Sequence, residues 1–141
     1  MSTPSLVEGF YRRIWNAGEL EAVSALLASD FAFCGSLGAE LQGQSAFLEY
    51  VRSVRAVLAD YHYEIVTCVT EGEYAFARMR FSGRHVGSFM GYEPTGRVVC
   101  WEGAALFHLA GAVITNLWVL GDLKGLDAVL EANGRGDPSL Q

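Results

Sequence analysis

The chain changes its hydrophobic period once, and that switch decides what it can fold into. Up to Leu58 apolar residues recur every three or four positions; from Tyr61 they alternate. Thr3 and Pro4 read as a helix start, and Leu6, Val7, Phe10, Tyr11, Ile14 and Trp15 then form one apolar face. "NAG" at Asn16–Gly18 ends that helix, and a second short one follows with Leu20, Val23, Leu26 and Leu27 inward. "DFAFCG" reads as a short strand and "GSLGAELQG" as a loop. A third helix is expected from Ser45 to Leu58, burying Phe47, Val51, Val54 and Leu58.

Beyond Tyr61 come two predicted hairpins. "YHYEIVTCVT" and "YAFARMRFSGRH" turn at Gly72, and "VVCWEGAALFHL" and "VITNLWVLGD" turn at Gly111 and Ala112. "GSFMGYEPTGR" joins the hairpins as a loop, and a closing helix is expected from Leu123 to Ala132. Helices first and antiparallel strands after give an α+β fold, a curved sheet with helices on one side and a hollow between them. Residues 1–132 are expected to form this one domain, and 133–141 ("NGRGDPSLQ") a C-terminal tail of disordered character.

Composition narrows the function. The 141 residues suffice for one core. A hydrophobic share of 51% and an aromatic share of 12% are high for that size, so apolar surface is expected to line a cavity or a subunit contact. A net charge of −6, with scattered Lys and Arg, argues against a nucleic-acid partner. No apolar run approaches the ~20 residues that cross a bilayer, and "MSTPSLVEGF" lacks signal-peptide character. Cys34, Cys68 and Cys100 fit free thiols in the cytoplasm better than disulfides or zinc ligands. No dinucleotide or P-loop pattern occurs, so no cofactor and no metal are expected.

Unbulged two-residue turns would set the strand faces. The first hairpin then points Ala75, Ala77, Met79, Phe81, Gly83 and His85 inward with Cys68, Val66 and His62. The second points Trp101, Gly103, Ala105 and Phe107 inward with Asn116, Trp118 and Asp122, leaving Glu102, His108 and Thr115 outside. One bulge would exchange these sets. On this parity Trp101, Trp118 and Asn116 wall a hollow suited to a small hydrophobic molecule. Asp122, short of water at its rim, is the leading candidate for an acid/base. Tyr11 and Trp15 are placed to roof the hollow or to pack the core.

The segments "YRRIWNAGELEAVSALLASDF", "LQGQSAFLEYV", "SGRHVGSFMGYEPTGR" and "LWVLGDLKGL" resemble the SnoaL-like polyketide cyclases, from about Ser5 to Leu130. The most specific pieces run from His85 to Arg97 and from Trp118 to Asp122. The resemblance implies an NTF2-like cone-shaped barrel. It also implies cofactor-free aldol cyclisation or a related isomerisation, with Asp122 as acid/base and His85 either at the substrate or anchoring its loop. Cys34 stands where many relatives have a histidine, and a thiol is a weak donor.

Alternatives remain beside each assignment. Asp122 also fits an N-cap for the closing helix, and Trp101 and Trp118 also fit the core. A non-catalytic binder or carrier of a small apolar ligand is the other functional reading, and a filled cone would point to a subunit-interaction module. The outer sheet face, expected to carry Leu106, Val113 and Leu117, is apolar enough to predict a homodimer.

Overall fold

The computed structural model describes residues 3–36 and 38–135. A first helix, α1 (Ser5–Gly9), runs on as a π-helical stretch (Phe10–Asn16) in which the Ala17 N–H donates to the Arg12 carbonyl at 2.9 Å. The wider turn carries two adjacent pairs, Phe10–Tyr11 and Ile14–Trp15, into the core. Pro4 occupies the N-cap position where Thr3 was expected, and its carbonyl accepts from Val7 and Glu8.

Then follow α2 (Ala22–Leu26), β1 (Leu27–Cys34), β2 (Glu40–Gln42) and α3 (Gln44–Val57). The helix α3 buries Phe47, Val51 and Val54, one face at helical spacing. Leu58, expected as its last inward residue, is buried but opens β3 (Leu58–Glu71). The remaining elements are β4 (Tyr74–His85), β5 (Val98–Ala110), β6 (Val113–Gly121) and α4 (Leu123–Arg135). Asn133–Arg135, expected in the tail, instead close α4, and Asn133 Nδ2 donates to the Val98 carbonyl at 3.2 Å. Residues 136–141 lie outside the described residues.

The six strands form one curved, open sheet in the order β2-β1-β6-β5-β4-β3. All pairings are antiparallel except β1 with β6, which is parallel. The helical α+β architecture and both predicted turns are present. So is the inward set on β4: Ala75, Ala77, Met79, Phe81, Gly83 and His85 are all buried.

Two register shifts overturn other parts of the predicted parity. In β6 the pairing passes from Leu109↔Ile114 to His108↔Asn116, leaving Thr115 as a surplus residue. Its Oγ1 donates to the His108 carbonyl at 3.2 Å and shares a bond with His108 Nδ1 at 2.5 Å. Every side chain beyond changes face. Leu117 is buried rather than outside, whereas Asn116, Trp118 and Asp122 are exposed rather than inside. In β3 a shift between Ile65 and Thr67 turns His62 out and Tyr63 in, opposite Phe81. A second shift lies between Ala59 and His62, where Asp60 takes φ 54.

Asn16 fastens the helical layer to β3, the exposed edge of the sheet. Its Nδ2 donates to the Tyr63 carbonyl at 3.1 Å, and its Oδ1 accepts from the Tyr63 N–H at 2.7 Å. One amide thus replaces a missing neighbouring strand. Asn16→Ala should lower the unfolding free energy by about 1–3 kcal/mol, because it strands two half-buried backbone groups. Urea denaturation checks this, and an unchanged midpoint would contradict it.

Candidate functional site

The alternation of "YHY" places Tyr61 and Tyr63 on one face of β3, and the register shifts make that face the inner one. Tyr61 Oη donates to Tyr63 Oη at 3.0 Å. Around them the rings close: Trp15 lies 5.1 Å from each, Tyr11 4.6 Å from Tyr63, and Phe81 4.7 Å from Tyr63 (centroid distances). Trp101, 7% exposed, continues the wall 5.4 Å from Phe81. The cavity left inside is about 20 Å³, space for roughly one water molecule, and its polar lining is Tyr50, Tyr61, Tyr63 and Ser36 beside Trp101. Gly121 packs closely behind this wall: a Cβ there would stand 3.0 Å from Ser36 Oγ and 3.2 Å from the indole Nε1 of Trp101.

Burial sets the chemistry of these phenols. It pushes the pKa of Tyr50 up to about 12 and holds those of Tyr11, Tyr61 and Tyr63 well above the ordinary phenol range. For Tyr61 the bond to Tyr63 works in the opposite direction but loses to desolvation. All four are therefore neutral hydrogen-bond donors at any physiological pH. The Tyr11 hydroxyl is buried and has no partner among the described residues. Among the described residues, the cavity lining contains no carboxylate and no imidazole.

Asp122 stands elsewhere than the parity predicted. It is exposed, and its Oδ1 accepts the Gly125 N–H at 2.9 Å while its carbonyl accepts from Leu126, so it caps α4. Glycine at 125 permits this, because a Cβ there would fall 2.3 Å from Asp122 Oδ2. The carboxylate borders a surface recess of about 320 Å³ with Arg80, Cys100, Trp101 and Glu102. Trp101 belongs to both linings: one indole separates Asp122 from the phenols.

The other predicted site residues divide between the two faces of the sheet. Tyr11 and Trp15 are interior, packed among Phe10, Phe47, Tyr61, Tyr63 and Phe107. His85 is fully buried at the end of β4, opposite Leu58, with neither ring nitrogen hydrogen-bonded among the described residues. Trp118, 42% exposed, Asn116 and Cys34 do come together, but on the outer face, where they border a groove of about 460 Å³ with Tyr74, Leu106 and His108. Asn116 and Trp118 are there because of the surplus Thr115, and Cys34 pairs with Trp118 in the parallel register. His62 is exposed and so stands apart from His85. Among the described residues no three His, Cys, Asp or Glu side chains cluster as metal ligands. Nor is any described helix long and apolar enough to cross a membrane.

Tyr61, Tyr63, Tyr50 and Phe81 went unassigned as site residues. The i, i+2 spacing of two tyrosines was a visible signal, but unbulged pairing assigned them to the outer face.

The fold has counterparts among solved structures. A provisionally assigned polyketide cyclase from Acidithiobacillus ferrooxidans is 22% identical and superposes with a TM-score of 0.81 over 94% of this chain and 99% of its own. A provisionally assigned SnoaL-like polyketide cyclase from Jannaschia sp. CCS1 gives a TM-score of 0.81 at 16% identity, covering 94% and 98%. TsrD from Streptomyces laurentii is 27% identical, with a TM-score of 0.78 over 90% and 92%. Among curated proteins none matches. The sequence pattern of the family described as SnoaL-like polyketide cyclase matches residues 5–130. With that match over nearly the whole length and an NTF2-like cone beneath it, the chain belongs to the SnoaL-like polyketide cyclase family.

Proposed function

We propose that the chain is a cofactor-free enzyme acting on a small, flat, apolar carbonyl compound, with Asp122 as acid/base in an aldol cyclisation or isomerisation. The observation that carries this is the hydrogen-bonded pair Tyr61–Tyr63 at an aromatic-walled cavity. Neutral phenols fixed in an apolar setting are donors aimed at an oxygen that gains negative charge, and they need little reorganisation when it does. Tyr61 donates to Tyr63, which leaves the Tyr63 hydroxyl proton for the substrate oxygen.

The carboxylate of Asp122 takes the proton from carbon next to that carbonyl. Charge moves to the oxygen held by Tyr63, the resulting enolate attacks a second carbonyl, and Asp122 returns the proton to the new alkoxide. For this the indole of Trp101 must swing aside on binding, joining the cavity to the recess that Asp122 borders. Free thiols at Cys34, Cys68 and Cys100 support a reducing, cytoplasmic setting.

A second reading, a non-catalytic binder of the same ligand class, is favoured by one observation. The Asp122 carboxylate faces water and caps a helix rather than facing the cavity. Asp122→Asn separates the two, because asparagine caps a helix about as well as aspartate. Turnover of an aromatic β-diketone should fall about 100-fold or more with thermal stability unchanged. Tyr63→Phe should lower it about 100-fold as well, through loss of the oxyanion donor. Undiminished turnover in Asp122→Asn would leave the binder.

We propose in addition that two copies pair through the outer sheet face. Tyr74, Phe76, Leu106, Trp118 and Leu120 are all exposed there, and Leu120 is 58% exposed. Sedimentation at micromolar concentration should give a dimer, and Leu106→Glu with Trp118→Glu a folded monomer. A monomeric parent protein would contradict the pairing.

A further inference from the structure

His85 is the buried polar group that the proposed reaction leaves unused. Its imidazole is fully enclosed, and neither Nδ1 nor Nε2 has a partner among the described residues. A buried group that forgoes all its hydrogen bonds is rare and unfavourable. One ring packs beside both it and the cavity's tryptophan: Phe89 lies 6.3 Å from the imidazole and 6.4 Å from Trp101 (centroid distances).

Phe89 belongs to the segment between β4 and β5, residues 86–97. The ends of this segment are firmly tied. Val86 and Gly87 N–H groups donate to the Val57 carbonyl, the His85 N–H donates to Arg97, and the Gly96 N–H donates to His85. Its middle is a self-contained turn. Phe89 and Tyr92 exchange two backbone hydrogen bonds at 3.0 and 2.9 Å across Met90 (φ 51) and Gly91 (φ 83). Positive φ at a methionine is a strained choice, held here by the turn. Among the described residues, one side-chain bond ties this middle to the body of the fold: Tyr92 Oη donates to Asp127 Oδ1 of α4 at 2.7 Å.

We propose that residues 86–97 form a lid with Phe89 as its removable wedge and the Tyr92–Asp127 bond as its latch, and that His85 is a hydrogen-bonding subsite for a second oxygen of the ligand. The ligand class is thereby narrowed to flat aromatic compounds with two oxygens, one held at Tyr63 and one at His85. This rests on the proposed ligand site, but the lid can be tested without any ligand.

Carbethoxylation of each histidine, followed by mass spectrometry, reads access to the ring. In the parent protein His85 reacts far more slowly than exposed His62. Tyr92→Phe removes only the latch and should speed His85 about tenfold, as expected for loss of one hydrogen bond to a charged group, with His62 unchanged. Phe89→Ala, which removes the wedge, should do the same. His85 remaining as slow as in the parent in both variants would overturn the lid. In Tyr92→Phe a naphthalenediol should protect His85 and a mono-naphthol should not. Equal protection by both, or by neither, overturns the subsite. If neither compound binds while Tyr92→Phe still accelerates His85, the lid stands and the proposed ligand class fails.

Discussion

The bonds between His108 and Thr115 hold one surplus residue in β6, and the direction of every later side chain in that strand depends on them. A strand has a period of two, so one extra residue exchanges its faces completely. Here the exchange buries Leu117 against the helices and turns Trp118 and Leu120 to the outside. It also delivers Asp122 to the surface at the start of α4, where its carboxylate meets an unpaired N–H instead of an apolar wall. The shifts in β3 act the same way on the opposite part of the sheet and bring Tyr61 and Tyr63 inward. Between them, these irregularities choose the lining of the cone: phenols inside, carboxylate outside.

That choice is consistent with the cost of burying charge. A carboxylate enclosed by Phe33, Phe81 and Trp101 would lose its hydration with little to replace it, whereas a phenol stays neutral and keeps its donor. Asp122 remains hydrated, and Trp101 lines both the recess beside it and the phenol cavity. The raised phenol pKa values have a consequence for stability. Above about pH 10 the unfolded chain releases these protons and the folded chain does not, so stability declines as the solution becomes more alkaline.

Much of the architecture was legible because it is written in side-chain period. The apolar faces of the N-terminal helix and of α3, the turns at Gly72 and Gly111, and the inward row from Ala75 to His85 follow from spacing alone. The site was less legible. A bulge is a miscount of the backbone, and neither Thr115 nor Val66 announces one by residue type. The ambiguity at Asp122 was visible, since an aspartate between a strand and a helix suits both a cap and a pocket rim. Only the register decides where its side chain points. Trp118 and Asn116 were assigned to the wrong face for the same reason, and they lie with Cys34 at the outer groove. His85 was recognised from its motif, but its unpaired nitrogens and the Phe89 wedge arise from a loop conformation that spacing does not specify.

The central claim is that Tyr61 and Tyr63 are neutral donors at an aromatic-walled cavity inside the cone. Titration of the ring carbons of ¹³C-labelled tyrosine by NMR, with each resonance assigned by single Tyr→Phe variants, tests it most directly. Both phenols should retain their protons well beyond the ordinary value of about 10 for as long as the protein stays folded. Loss of those protons near that value in the folded protein would mean that water reaches them freely, and the donor site would not exist as described.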